Sequence, residues 1–271
     1  MGSRSPWTCV LWDVDGTIVD ASDGILRRLT ITLEHFGKTA PTRAELVHWI
    51  GPPMFESFQV TGGMTPDGAA EAVAYYRVLG KADGYTTGAK LFAGVGELIH
   101  EVAAAGIPQA TASSKPEIQV DALMDHFDLS PCFSAIVGAT SDERTLAAKA
   151  DIVAEALRRL DAAGVDTSRP VLIGDRHHDV EGGAERGVPV IFVRWGFSWP
   201  HEADGAQAAV RIRGEGGLNA RTPIIAFSAD ARPGGPGDIF DGAVSKPMTA
   251  AGLVDALNTA MATPVAMAAS A

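Results

Sequence analysis

Apolar residues recur along the chain in two rhythms. Short runs bounded by turn-forming residues read as buried strands: 8–12 (TCVLW), 107–113 (IPQATAS), 134–139 (SAIVGA), 170–175 (PVLIGD) and 188–196 (VPVIFVRWG). Between them lie segments whose apolar positions repeat at helical spacing. A helix is predicted over residues 23–36, with Leu26, Leu29, Leu33 and Phe36 on one face. Thr42 and Glu45 stand at capping-box spacing ahead of a short helix that the Gly51-Pro52-Pro53 turn ends. Further helices are expected over 67–79, over 95–105 before Gly106, over 116–126, and over 144–160 with Ile152, Val153, Ala156, Leu157 and Leu160 inward. Strands alternating with helices predict an α/β fold built on a parallel sheet. No strand pattern occurs between Asp20 and Gly88, so that stretch is read as an all-helical insert after the first strand. From about Asp204 the chain turns Ala- and Gly-rich and changes character.

Composition narrows this picture without changing it. The 271 residues suffice for one large domain or two modest ones, and 46% hydrophobic with 20% charged residues is ordinary globular composition. A formal net charge of -11 argues against nucleic acid or an anionic membrane as the main partner. Cys9 and Cys132 both lie in apolar surroundings and read as buried thiols of a reducing compartment. The N-terminal stretch lacks the pattern of a signal peptide, and no apolar run approaches a membrane span, so a cytoplasmic protein is expected.

The chemistry begins at "VLWDVDGTIVD", where an apolar run breaks into Asp13 and Asp15. Neighbouring carboxylates repel and raise each other's pKa unless positive charge sits between them, so the pair points to a cation site. Ser113 and Asp175 also fall at predicted strand ends; Asp179 follows, and Lys149 stands in a predicted helix. In a parallel sheet those ends gather on one edge, where ligands bind. Asp13 can attack an electrophile, Asp15 can transfer a proton, and Asp175 can join Asp13 around Mg2+, an ion that prefers oxygen ligands. Ser113 offers a hydroxyl and Lys149 a positive charge to a phosphoryl group, whose transfer requires mainly positioning and charge neutralisation. His177 and His178, with no Cys or further His at ligand spacing, make a poor transition-metal site and read as exposed loop residues. Lys115 reads either as lining the site or as solvated, and Trp195, Phe197 and Trp199 as packing a loop on the core.

These motifs resemble those of the haloacid dehalogenase superfamily, in its phosphatase branch. "DVDGTIVD" is similar to the first motif, "ATASSKP" to the second, "RTLAAKADIV" to the third and "IGDRHHDVEGG" to the acidic fourth; the likeness covers roughly residues 7–205. It implies a Rossmann-like parallel sheet core (1–19 and 88–204), a mobile helical cap (20–87) and an extra C-terminal α/β segment (205–271). It further implies Asp13 as nucleophile, Asp15 as acid/base, Ser113 and Lys149 as catalytic groups, and Mg2+ held among Asp13, the Asp15 carbonyl, Asp175 and Asp179. "HWIGPPMFESF" resembles the cap of phosphoglycolate phosphatase-like members, which makes Gly51 and Pro52, with Ser114 from the core, expected substrate contacts; Arg43 is a further candidate. The implied activity is hydrolysis of a small phosphate monoester, phosphoglycolate-like or a nucleoside monophosphate, through an aspartyl-phosphate. A phosphomutase would use the same pair of acids. The tail "TPIIAFSADARPGGPGDIFDGAVSKPMTAAGLVDALNTA" is similar to the second half of a receiver domain, with Ser228 and Lys246 at its switch and lysine positions. It lacks a phospho-acceptor, so a working phosphorelay is not expected; the tail is expected to pack on the core, mediate a homodimer or be a partial graft from a gene fusion, and a signalling or binding protein using the tail is the rival reading.

Overall fold

The computed structural model describes residues 7–142, 145–197, 225–228 and 242–245. From β1 (Cys9–Trp12) the chain passes a short strand β2 (Val19–Asp20) into helices α1 (Ser22–His35), α2 (Arg43–Leu46), α3 (Met54–Glu56) and α4 (Pro66–Asp83). It returns through β3 (Lys90–Leu91) to α5 (Val95–Ala104), β4 (Gln109–Thr111), β5 (Ser113–Pro116), α6 (Glu117–His126) and β6 (Gly138–Ala139). There follow α7 (Lys149–Ala162), β7 (Pro170–Gly174), α8 (His177–Glu185), β8 (Val190–Phe192), and the tail strands β9 (Ile225–Ser228) and β10 (Gly242–Ser245).

The central sheet has the order β4-β1-β7-β8, with every neighbouring pair parallel. Its strands are buried on both faces, and the two-residue side-chain period decides which core each residue joins. Val10 and Trp12 enter a core with Leu98 and Ile99 of α5 and Val120, Leu123 and Met124 of α6. Cys9 and Leu11 point the other way, onto Ile152, Val153, Ala156 and Leu160 of α7. Each fully buried leucine or isoleucine contributes roughly 1.5–3 kcal/mol. Polar atoms inside this layer are paired: the Trp12 indole donates to the Gln109 side chain at 2.9 Å, and Gln109 donates to the Ile99 carbonyl at 3.0 Å.

The insert is helical among its described residues. β2 and β3 pair antiparallel, Val19 with Leu91 and Asp20 with Lys90, so the chain leaves and re-enters the sheet layer side by side. The Glu45 carboxylate accepts from the Thr42 N–H at 2.9 Å and from its hydroxyl at 2.8 Å, as the predicted capping box requires of Glu45, but α2 is a single turn that runs into a 3-10 turn over Val47–Trp49. α4 begins with Pro66 behind Thr65, whose hydroxyl accepts from the Gly68 N–H, a favourable helix start. Trp49, Phe58 and Tyr76 meet edge to face inside the insert.

Three expectations are corrected. The long helix begins at Lys149 and not at Arg144, because Thr140 and Leu146 exchange hydrogen bonds and Asp142 accepts from Thr145, which closes a loop over those residues. Cys132 is only half-buried, with its sulfur 3.2 Å from Nδ1 of His100, whereas Cys9 is fully buried; both thiols are free. His177 and His178 are partly buried and open α8. Among the described residues no helix is long and apolar enough to cross a membrane. The two strands expected in the tail pair in parallel, Ile225 with Gly242 through Ser228 with Ser245. Lys246, the loop expected over 230–237 and the helix expected beyond lie outside the described residues.

Candidate active site

Asp13 follows the last residue of β1, and its N–H donates to the Ile173 carbonyl of β7 at 2.8 Å, which fixes it at the sheet edge. The next residues turn at once: the Val14 carbonyl accepts from the N–H groups of Ile18 and Val19. Gly16 permits this turn on two counts. Its φ is +94°, and a Cβ there would stand 2.4 Å from Oδ2 of Asp175. Asp175 follows β7 and is fully buried; Oδ2 accepts the Phe197 N–H at 2.6 Å, and Oδ1 faces the Thr17 hydroxyl at 3.4 Å. Gly174 is required by Asp179, since a Cβ would lie 2.3 Å from that carboxyl carbon.

Two lysines meet these acids. The Lys149 ammonium lies 2.6 Å from Oδ1 of Asp13 and 2.6 Å from Oδ1 of Asp179. Lys149 is the first residue of α7, where the helix dipole disfavours a cation, so the two carboxylates account for its placement. Burial works against its ammonium, but Asp13 and Asp179 outweigh that and hold its pKa above the ordinary lysine value. Asp179 also accepts the Arg176 N–H at 3.0 Å and so starts α8. The Lys115 ammonium lies 2.6 Å from Oδ2 of Asp15, with both side chains largely buried. Lys115 therefore lines the site. Ser113 is buried beside it, its hydroxyl accepting the Lys115 N–H at 3.3 Å.

Asp13, Asp175 and Asp179 form a buried group that offers one oxygen from each residue, the three lying within 4.8 Å of one another. Burial, reinforced by Asp179 and Asp15 and opposed by Lys149, pushes the Asp13 carboxyl up to about 6. Burial and the charges of Asp13 and Asp179 also raise Asp175 well above the ordinary carboxylate range. Four carboxylates thus outnumber the two ammonium groups that touch them. A hard divalent cation with oxygen ligands fits this donor set. The Asp15 carboxylate is turned away toward Lys115, and its Oδ1 is buried with no hydrogen-bond partner among the described residues.

The insert reaches the same edge. Arg176, directly after Asp175, is buried and donates through Nη1 to the His48 carbonyl at 3.2 Å and to the Ile50 carbonyl. Gly51, at φ +115°, lies against the Arg176 side chain; Pro52 and Ser114 are half-buried. Arg43 is not brought in: it is exposed and pairs with Asp23 at 2.5 Å. Trp195 and Phe197 pack on Phe92, and the Trp195 indole donates to the Thr17 carbonyl, while Trp199 lies outside the described residues. Sequence reading left Lys115 open and passed over Arg176 and Thr17. The spacing of Lys115 after Ser113 at a strand end was a usable signal for the first; nothing local marked the others.

A parallel sheet with paired acids, a hydroxyl and two lysines at one edge is a donor set suited to a metal ion and a phosphoryl group. Residues 10–193 match the family model of the haloacid dehalogenase-like hydrolases, and the chain belongs to that family. It is 35% identical over 188 residues to the tyrosine-protein kinase PtkA of Mycobacterium tuberculosis, a match covering 69% of this chain and 62% of that protein, less than two thirds of its length. It is 34% identical over 188 residues to a 5'-nucleotidase of Pseudomonas aeruginosa, covering 69% of this chain and 83% of that one. The crystal structure of a "predicted phosphatase" from Clostridium acetobutylicum aligns with TM-score 0.67 and 30% identity over 73% of this chain and 90% of that one. The family match stops at residue 193, so it lends no support to the receiver-like reading of the tail.

Proposed function

We propose that this protein is a Mg2+-dependent phosphatase that hydrolyses a small phosphate monoester through an aspartyl-phosphate on Asp13. The observation that carries the reading is the division of labour between the two acids. Asp13 is held by Lys149 beside Asp175, whereas Asp15 is held by Lys115 with one buried oxygen left unpartnered. A divalent cation held by Asp13 and Asp175, with the Asp15 carbonyl and Asp179 at its side, would supply positive charge to the phosphoryl oxygens.

The Asp13 oxygen attacks phosphorus, the ester oxygen departs, and Asp15 gives it a proton. Asp15 then takes a proton from the water that cleaves the acyl phosphate, which returns Asp13 as a carboxylate and releases inorganic phosphate. Ser113 and Lys149 bind phosphoryl oxygens through both steps, and Asp179 keeps the Lys149 ammonium aimed. The helical insert acts as a cap: its loop at His48, Ile50 and Gly51 rests on Arg176, the residue after Asp175. Cap closure would exclude water from the attack on phosphorus.

A second reading, phosphoryl transfer to a protein tyrosine, is favoured by the name of the mycobacterial relative. One experiment separates the two. Purified protein is offered a panel of phosphate esters with and without Mg2+, and in parallel ATP with a tyrosine peptide. Metal-dependent phosphate release with no peptide labelling is expected. Peptide labelling without ester hydrolysis would establish the kinase reading instead.

A further inference from the structure

Arg28 has no place in the chemistry above, yet its environment is unusual. It lies on the inward face of α1 and is only 4% exposed. Its neighbour Arg27 is exposed and paired with Asp83, the ordinary arrangement. Arg28 forms no ion pair among the described residues, and its Nε and Nη1 are buried without hydrogen-bond partners there. Its guanidinium carbon lies 5.4 Å from the centre of the Tyr76 ring. An arginine cannot shed its charge by losing a proton, and a buried, unpaired cation costs several kcal/mol. Stacking on a tyrosine returns only about 0.5–2 kcal/mol of that. Among the described residues the arginine thus has the Tyr76 side chain beside it but no acid to balance its charge.

The surroundings indicate where that partner comes from. Burial pushes the Tyr76 phenol above its ordinary pKa; the charges of Arg28 and of Lys115 and a hydrogen bond from Arg28 act against that rise, and the charge of Asp15 adds to it. Tyr76 thus stands within electrostatic reach of the insert's unpaired arginine and of the Lys115–Asp15 pair at the sheet edge. Two glycines border the guanidinium. A Cβ on Gly24 would come within 3.3 Å of Nη1, and one on Gly80 within 3.7 Å of Nε.

We propose that Arg28, with Tyr76 beside it, is a subsite for a second anionic group on the substrate, a carboxylate or a second phosphate. This rests on the phosphatase reading and deepens it: the substrate class becomes small phosphate esters that carry another acidic group, and simple nucleoside monophosphates are disfavoured. The planar fork of the guanidinium matches either anion in bidentate fashion. The anion enters when the insert moves to admit the ester, and its charge neutralises the arginine as the insert settles back.

The test compares kcat/KM with Mg2+ for 2-phosphoglycolate, fructose 1,6-bisphosphate and p-nitrophenyl phosphate, the last having no second anion. Wild-type protein is measured beside Arg28→Gln, Arg28→Lys and Arg28→Met. Arg28→Gln is expected to lower the ratio of acidic ester to p-nitrophenyl phosphate about 10- to 100-fold, mainly through KM, the worth of a charged hydrogen-bonded pair. Arg28→Lys restores part of that ratio. The ester suffering the larger loss identifies the anion as carboxylate or phosphate. Arg28→Met is expected to raise the thermal midpoint or leave it in place, which a structural arginine would not do. An unchanged ratio in Arg28→Gln overturns the subsite, as does wild-type protein that cleaves only p-nitrophenyl phosphate; in both cases the phosphatase reading survives. Wild-type protein that cleaves none of the three esters overturns that reading and the subsite with it.

Discussion

The sheet edge and the helical insert both bury cations, but they meet the charge differently. At the edge, Lys149 touches Asp13 and Asp179, Lys115 touches Asp15, and Asp175 leaves the acids in excess. In the insert, Arg28 is buried as deeply and meets no acid among the described residues. One region is short of positive charge and the other of negative charge. A divalent cation at the edge and an anionic group under the insert would balance both, so the two deficits read as the two ends of one ligand site. The lesson is general: a buried charge that weakens the fold is better evidence for a ligand than one already paired.

The largest effect that tests this contrast is on turnover. Asp13→Asn should lower kcat about 10⁴-fold or more, since it removes the attacking oxygen's charge, while the thermal midpoint stays level or rises because a buried acid is gone. Near-normal phosphate release from that variant would remove Asp13 from the chemistry. Next comes stability. Lys149→Met leaves Asp13 and Asp179 buried and facing one another without their shared cation, and should cost about 3–5 kcal/mol in urea unfolding. Arg28→Met should show no such loss; equal losses would erase the distinction between the two regions.

A smaller effect concerns pH. Asp13 holds its proton to about 6 in the folded chain, above the ordinary carboxylate value near which it would lose it unfolded. The folded state thus binds the extra proton, and this group's contribution is full below about pH 4 and disappears as pH rises through about 6, on the order of 2–3 kcal/mol in all. Asp175 acts in the same direction. In EDTA the protein should therefore melt at lower temperature at pH 7.5 than at pH 5, as far as these groups decide it. Mg2+ should raise the midpoint more at pH 7.5, where it replaces the lost protons. Equal shifts at both pH values would count against a cation on these acids. The smallest effect expected is that of Arg43→Ala: its pair with Asp23 is exposed, and neither the melting temperature nor kcat/KM should change measurably.

How much of this was legible before folding differs residue by residue. Asp13, Asp15 and Asp175 could be read because a carboxylate just after an apolar strand run has few reasons to be there. Lys149 was legible as a site lysine near a helix start, but the pattern begins that helix at Arg144, since the Ala-rich stretch before Lys149 favours a helix that the Thr140–Leu146 hydrogen bonds prevent. Lys115 stayed ambiguous because a lysine at the head of α6 is usually solvated; only the 2.6 Å approach to Asp15 decides otherwise. Arg28 gave no sign at all. It follows Arg27 in an amphipathic helix, and which of two adjacent arginines is buried depends on how α1 meets α4 and Tyr76.

Periodicity, strand-end acids and turn glycines were enough to specify an α/β chain with a helical insert and an acidic sheet edge, because those signals are local and carried by residue type. The assignment of partners was not local. Residues 13, 149 and 179, or 28 and 76, meet only when distant elements close on one another. A charge's energy depends on what surrounds it within a few ångströms, so whether each is paired, raised in pKa or left waiting for a ligand was settled by packing.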